Sequence, residues 1–410
     1  MAERGNLRSA CVTRVIHTAD WHLGARLVEQ ERTEEHARFL DWLLMLIQDR
    51  QVQVLLVAGD VFDQANPPQS ALSQYYDFFT GLKRWTDCQA VVIGGNHDSA
   101  SLLDAPRGPL AALGVHVIGA APEDPARCVV EFADLIVAGV PFLRERDVRT
   151  ASAGQSAEEI AAALRDGIAD YYRRALAAAR NVAGGRPVVG MGHLTTVSAQ
   201  LSGTERDIHI GNLGAVGAAC FDGFDYVALG HIHRPQTVAG VETRRYAGSP
   251  VALGFDEAEK PRQILILDIP ERSGEAIAIE SVAVPVAREL RRISCTAAEV
   301  ASQLLAADAS ALPPWIEWTI TDGCGHPRAE ALARESAEKA GVRLLKLICP
   351  HPAGEAVDAF AGRELRDLQP TEVFLELLRR RGTDPASESG RELLGSFETL
   401  LSRMAEAAGR

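Results

Sequence analysis

The stretch YVALGHIHRPQ, Tyr226–Gln236, runs from a short apolar segment ending in glycine directly into two imidazoles. Such a run reads as a buried β-strand, and the side chains after it are delivered to the carboxyl edge of the sheet, where open α/β folds gather their ligand chemistry. His231 and His233 are spaced i, i+2, so in extended backbone both leave on the same face. The same arrangement recurs upstream. VTRVIHTA leads into Asp20 and His22, VLLVAG into Asp60, VVIGG into Asn96 and His97, and VVGMG into His193. Five strand ends of this kind can converge on one spot.

Residue type then says what sits there. Asp20 and His22 share the i, i+2 spacing of the final pair. A set of Asp, Asn and His without cysteine favours borderline to hard ions such as manganese, iron or zinc and argues against a thiolate-type structural site. One carboxylate, with Asp60 the first candidate, can bridge two ions. Singly, GD and GN are ordinary turns, and a lone His after a strand is more often a hydrogen-bonded loop residue. The specificity lies in the ordered series: DxH, GDxxD at Gly59–Asp63, GNHD at Gly95–Asp98, GH at Gly192, and GHIH at Gly230–His233.

That series resembles the signature of the calcineurin-like metallophosphoesterases. The resemblance narrows to the SbcD-type nuclease subunits through HTADWHLG (His17–Gly24), GDVFD with NPP shortly after, GNHDS, PFLRERD (Pro141–Asp147), GHLTTV (Gly192–Val197), ERDIHIG (Glu205–Gly211), YVALGHIHRPQ and YAGSP (Tyr246–Pro250). It covers residues 12–270 strongly and the rest more loosely.

The resemblance implies an α/β fold: a two-sheet metallophosphoesterase sandwich flanked by helices, with a small α/β cap domain and a C-terminal helical pair. It implies two divalent ions, with manganese expected. Asp20, His22, Asp60 and His233 would hold the first, and Asp60, Asn96, His193 and His231 the second. His97 would protonate the leaving oxygen or stabilise transition-state charge, with Asp98 orienting its imidazole. Asp63 carries no transferred role, because relatives outside bacteria often have His there. The implied activity is DNA phosphodiester hydrolysis: exonuclease on double-stranded ends, endonuclease on single strands and hairpins, in repair, recombination and replication. The implied partners are DNA and an SbcC-like coiled-coil ATPase, in a heterotetramer around a homodimer paired through the helices after GDVFD and GNHD. Two ions about 4 Å apart suit this reaction, since they neutralise the anionic oxygens and hold the attacking and leaving groups in line.

Composition sets limits. The chain has 410 residues, 47% hydrophobic and 24% charged, ordinary for a globular protein of two or three domains. No run suits a signal peptide or a membrane span, so a cytoplasmic protein without membrane contact is expected. Seven cysteines without a CxxC pair suggest reduced thiols. No GxxxxGK[ST] loop is present, so no nucleotide is expected on this chain and ATP control would come from the partner. The net charge of −13 is the main objection to a DNA substrate. Arg26, Arg144, Arg146, Arg149, Arg206 and Arg234, in or near the active-edge loops, answer it locally.

Periodicity places covering helices at Gln30–Arg50, Pro68–Trp85, Ser101–Leu113 and Glu158–Arg180, and strands at Gln263–Asp268 and Ala276–Val284. The expected domains are a nuclease domain over 12–284, a cap over 285–352, and a linker with helix-turn-helix docking segment over 353–410. The cap reads βαβαβ: Arg288–Cys295, a helix at Ala298–Leu305, Trp315–Ile320, a helix at Arg328–Ala340, and Val342–Ile348. Beyond it, Val373, Phe374, Leu377 and Leu378 form one helical stripe and Leu393, Leu394, Phe397, Leu400, Leu401 and Met404 a second. Either these fold back on the cap or they dock on another protein's helices. His17 is expected in the core, and His36, His116, His209, His326 and His351 outside the site. Two other functions compete with the nuclease: a small-nucleotide phosphodiesterase, and a DNA-end-binding scaffold with secondary catalysis.

Overall fold

The computed structural model describes residues 12–148, 155–197, 199–200, 215–296, 299, 311–321, 326–348, 369–380 and 383–408. Two compact units emerge, Met1–Cys349 and Pro350–Arg410.

The first unit is built on two six-stranded sheets. One has the order Ala278–Ala283, Gln263–Pro270, Val12–Thr18, Val54–Ala58, Gln89–Ile93, Val115–Ile118. Its last four strands are parallel, and Gln263–Pro270 runs antiparallel to Val12–Thr18. The other has the order Gln236–Val238, Val241–Tyr246, Tyr226–Gly230, Val188–His193, Ile136–Gly139, Val129–Glu131, with the four central strands parallel. All five strands that end in candidate ligands therefore lie in parallel blocks, three in one sheet and two in the other. Parallel strands covered on both faces read as continuous apolar runs, and Val54–Ala58 is buried at every position. Val54, Leu56 and Ala58 meet Val189, Met191 and Ala228 between the sheets. Leu55 and Val57 face Phe39, Leu43 and Phe79 of the covering helices.

Three of the four covering helices form close to where periodicity puts them. Gln69–Trp85 starts after Pro68, and Ala157–Ala183 opens with a capping box between Ser156 and Glu159 and closes on left-handed Gly184. The first helix spans Thr33–Asp49, later than expected, because Arg26–Leu27 and Gln30–Glu31 pair as a small hairpin. Its turn places Val28 and Glu29 at positive φ, a conformation usually signalled by Asn-Gly. The expected Ser101–Leu113 helix is instead two short ones, Ala100–Asp104 and Arg107–Ala112. Pro106 at the break has no N–H to continue the ladder.

The three strands Arg288–Cys295, Leu312–Ile320 and Arg343–Ile348 are parallel, with helix His326–Lys339 between the last two. Ile316, Trp318 and Ile320 enter a small core with Ile293 and Ala337. Trp315, on the opposite face, packs with Phe255 and Leu290 and lies under the guanidinium groups of Arg32 and Arg288. The expected helix at Ala298–Leu305 lies outside the described residues apart from Glu299.

The second unit contains helices Pro370–Arg380 and Glu388–Ala408. They join through Phe374 and Phe397, stacked at 4.1 Å with rings 6° apart, while Val373, Leu377, Leu393 and Leu400 remain exposed. No described helix is long and apolar enough to cross a membrane. Cys88, Cys128, Cys220 and Cys295 are free thiols.

Candidate metal centre

The two sheets bring the loops after five strands to one place. Asp20 N–H donates to the Gly59 carbonyl and His22 N–H to that of Asp60, zipping the first two loops together. Asp98 closes the second loop on the third: its carboxylate accepts from Gly95 N (2.8 Å), Phe62 N (2.9 Å) and Val61 N (3.2 Å). Gly95 has no β-carbon because one would run into the Asp60 carboxylate and amide. Asp20 Oδ1 accepts from His231 N at 2.8 Å and so ties the two sheets at the site.

Among the described residues, three groups have donor atoms close enough to share an ion: Asp20, His22 and His233; His22, Asp60 and His97; and Asp60, His193 and His231. The separations suit a metal. Ligand bonds of about 2.0–2.1 Å at right to tetrahedral angles put donors about 2.8–3.4 Å apart. His22 Nε2 and His233 Nε2 face each other at 3.2 Å, Asn96 Oδ1 lies 2.9 Å from His193 Nε2 and 3.1 Å from His231 Nδ1, and Asp60 Oδ2 lies 3.3 Å from His193 Nε2. Asp20 Oδ2 is buried with no hydrogen-bond partner, a costly condition for a carboxylate that a cation would relieve. All seven expected ligands are therefore together, and their oxygen and imidazole donors fit hard to borderline divalent ions.

Electrostatics point the same way. Burial pushes the Asp20 carboxyl up to about 7, against the pull of His193 and His233. For Asp60 burial also acts upward, but His193, His22 and His97 around it prevail and hold it well below the usual carboxylate range. Burial alone would lower His193, yet Asp60 brings it up to about 9. His231 is held well below its ordinary value by burial and by His193. One carboxylate among several imidazoles is thus the electrostatic hub of the cluster.

His97 stands at the open side, in a cleft of about 190 Å³ lined by His22, Arg26, Asp63 and His233. Its Nδ1 lies 2.7 Å from the Asp63 carbonyl and its backbone N–H donates to Asp60 Oδ1 at 2.9 Å. This corrects the expectation for Asp98, whose carboxylate is taken up by three backbone amides and makes no hydrogen bond to the His97 ring; the Asp63 carbonyl orients the imidazole instead. The Asp63 side chain faces His22 Nδ1 at 3.5 Å. Among the arginines, Arg26 lines the cleft and Arg234 is exposed beside His233, whereas Arg149, Arg206 and the ERDIHIG segment lie outside the described residues. His17 is a core residue, between the Tyr226 hydroxyl and the Leu229 carbonyl. His36 is buried, His116 is half-buried, and His209, His326 and His351 have no described side chain.

Sequence reading missed one buried carboxylate at the centre, Glu257, which lies 3.1 Å from His233 Nδ1. It follows no strand and belongs to no motif. Its only signal is an acidic pair, Asp256-Glu257, directly after the apolar run VALGF.

Residues 13–235 match the family model of the calcineurin-like phosphoesterases, and residues 286–381 match that described as the type 5 capsule protein repressor C-terminal domain. Fold, donor set and match together make the chain a calcineurin-like phosphoesterase, a metal-dependent phosphodiester hydrolase. The SbcD subunit of the nuclease SbcCD of Escherichia coli (strain K12) is 36% identical over 401 residues, 96% of this chain and 98% of that protein. Its counterpart in Rhodobacter capsulatus is 38% identical over 275 residues and that in Bacillus subtilis 33% over 260, each covering 62% of this chain and 66% of its own. Within the phosphoesterases, the chain belongs to the SbcD family of nuclease subunits.

Proposed function

We propose that the chain is the nuclease subunit of an SbcCD-type complex and hydrolyses DNA phosphodiesters, as exonuclease on duplex ends and endonuclease on single strands and hairpins, in repair, recombination and replication. The observation that carries this reading is the convergence of six buried donor residues and the half-buried Asn96 beside an open cleft edged by His97 and Arg26. Asp20, His22, Asp60 and His233 would hold one ion and Asp60, Asn96, His193 and His231 the other. Asp60 as bridge is supported by its Oδ2, 3.3 Å from His193 and 3.7 Å from His22. Two divalent ions, manganese in this reading, supply the positive charge without which a phosphodiester's oxygens repel a nucleophile.

The chain's own residues do the rest. His193 directs Nδ1 at the Ala58 carbonyl, which leaves Nε2 for the site. His97, held by the Asp63 carbonyl at Nδ1, turns Nε2 toward the cleft, 4.0 Å from Asp60 Oδ2, where it can give a proton to the leaving oxygen. The net charge of −13 makes DNA binding by this chain alone weak and salt-sensitive. An SbcC-like ATPase that grips the exposed leucines of the C-terminal helices, and a second copy of this chain, would supply the missing grip. The organisation is a nuclease domain over 12–284, a cap over 285–352 and a docking segment over 353–410.

The test is manganese-dependent cleavage of linear and hairpin-ended duplexes by the purified chain and by His97→Ala, with and without the organism's own coiled-coil ATPase. Cleavage that falls at least ~100-fold in the variant, and responds to ATP with the partner, is the expected result. DNA binding without cleavage in any combination would mean a scaffold, and turnover of nucleotides alone a small-molecule esterase.

A further inference from the structure

We infer that Glu257 is a positioning residue that sets the affinity of one of the two metal sites through His233; this rests on the metal-site reading above. Glu257 is fully buried, in a one-turn 3-10 segment at Phe255–Glu257. Its two carboxylate oxygens have separate tasks. Oε2 accepts from Leu253 N at 3.0 Å and pairs with Arg262 at 3.1 Å, which fixes the carboxylate plane. Oε1 meets His233 Nδ1 at 3.1 Å. The opposite nitrogen, Nε2, is the one that faces His22 Nε2, in the group that also contains the unpartnered Asp20 Oδ2.

An imidazole can present a lone pair from Nε2 only when its proton sits on Nδ1. A carboxylate at Nδ1 favours that tautomer, fixes the ring's rotation and makes the other nitrogen a better donor. A glutamate needed only to neutralise Arg262 would not require its second oxygen at the back of a metal ligand. The mount is also rigid. Arg262 donates to the Glu257 and Ser249 carbonyls, and Arg32, itself buried, holds the carbonyl of Ala252 next to Leu253. Among the described residues the other site has no such carboxylate: His193 is backed by a backbone carbonyl and His231 Nδ1 faces Asn96. The two sites should therefore respond differently when Glu257 is changed.

The experiment is titration of the full-length metal-free chain with Mn2+ alone, by calorimetry and by electron paramagnetic resonance, for the wild type, Glu257→Gln and Glu257→Ala. Two Mn2+ bound by the wild type establishes the metal-site reading on which the proposal rests; failure there defeats that reading, not the role of Glu257 within it. Given two ions, Glu257→Ala should weaken one site by about 10–100-fold and leave the other at its wild-type affinity. Glu257→Gln, nearly the same shape and able to accept from His233 as a neutral group, should fall between. Wild-type affinity at both sites in the Gln variant, or equal weakening of both sites, would overturn the proposal: the first would leave Glu257 as Arg262's counter-ion, the second as part of the general fold.

Discussion

Removal of the Asp98 carboxylate tests whether this residue is a clasp or a catalytic partner of His97. In Asp98→Ala the amides of Gly95, Phe62 and Val61 lose their acceptor in a place with little access to water. A buried donor left unsatisfied costs about 1–3 kcal/mol, so three cost about 3–6 kcal/mol once local relaxation is allowed for. Asp98→Asn keeps one oxygen but turns an NH2 toward at least one of the same donors, and about 2 kcal/mol is expected. Urea unfolding of the metal-free chain measures both. The amides belong to the loops that carry Asp60 and Asn96, so binding of both ions should weaken alongside stability. If Asp98 instead acted on His97, Asp98→Asn would unfold within about 0.5 kcal/mol of the wild type, as a substitution away from such a contact does, bind metal normally and lose only turnover; that result would refute the clasp.

Two further outcomes follow from the same geometry. In Gly95→Ala the new β-carbon is driven against the Asp60 side chain and amide, so the folded variant should bring less than one ion per chain through dialysis; metal analysis that still gives two would contradict the packing. Burial pushes the His17 imidazole down to about 3, from an ordinary value near 6.5, so the folded chain keeps it neutral while the unfolded chain takes up a proton below pH 6.5. Stability from this residue is thus present above pH 6.5 and lost as pH falls toward 3, by up to about 1.4 kcal/mol per pH unit. Urea midpoints at about pH 7 and pH 5.5, either side of the ordinary histidine value, should draw closer in His17→Gln, and an unchanged gap would exclude His17 as the source.

The site was legible because its signal is one-dimensional. Each candidate ligand sits at or just past the end of a strand, and four of the five strand ends are marked by apolar runs that stop at glycine, as at Gly59-Asp60, Gly95-Asn96 and Gly230-His231. The strand Leu312–Ile320 was legible for a similar reason: Ile316, Trp318 and Ile320 alternate and share one core. What escaped reading is set by tertiary contact. The Arg26–Glu31 hairpin turns on Val28 and Glu29, residues whose type argues against positive φ. Asp98 follows His97 in sequence, which suggests a pair, yet its carboxylate turns to the backbone of a loop 36 and 37 residues earlier. Glu257 reaches His233 from 24 positions away, through a turn that carries no ligand of its own.

The backbone at the centre explains why so many neighbours are needed. Asp20, His22, Asp60 and His231 all have positive φ, at 54°, 47°, 48° and 93°. Non-glycine residues there cost of order 1–3 kcal/mol each and persist only where surrounding structure overdetermines them. The overdetermination is visible: the Asp20 and His22 amides are bound to the Asp60 loop, the His231 amide to Asp20, and the Asp60 loop to Asp98. Each strained candidate ligand is thus held by a hydrogen bond to the loop or side chain of another, or through its loop to the Asp98 clasp. Loops so interlocked have their donor positions fixed by the fold's own hydrogen bonds, so the ordering cost that a floppy site would meet on binding is met in folding. The same interlocking means that damage at one loop should pass to the next, so ligand and clasp substitutions here should not add independently.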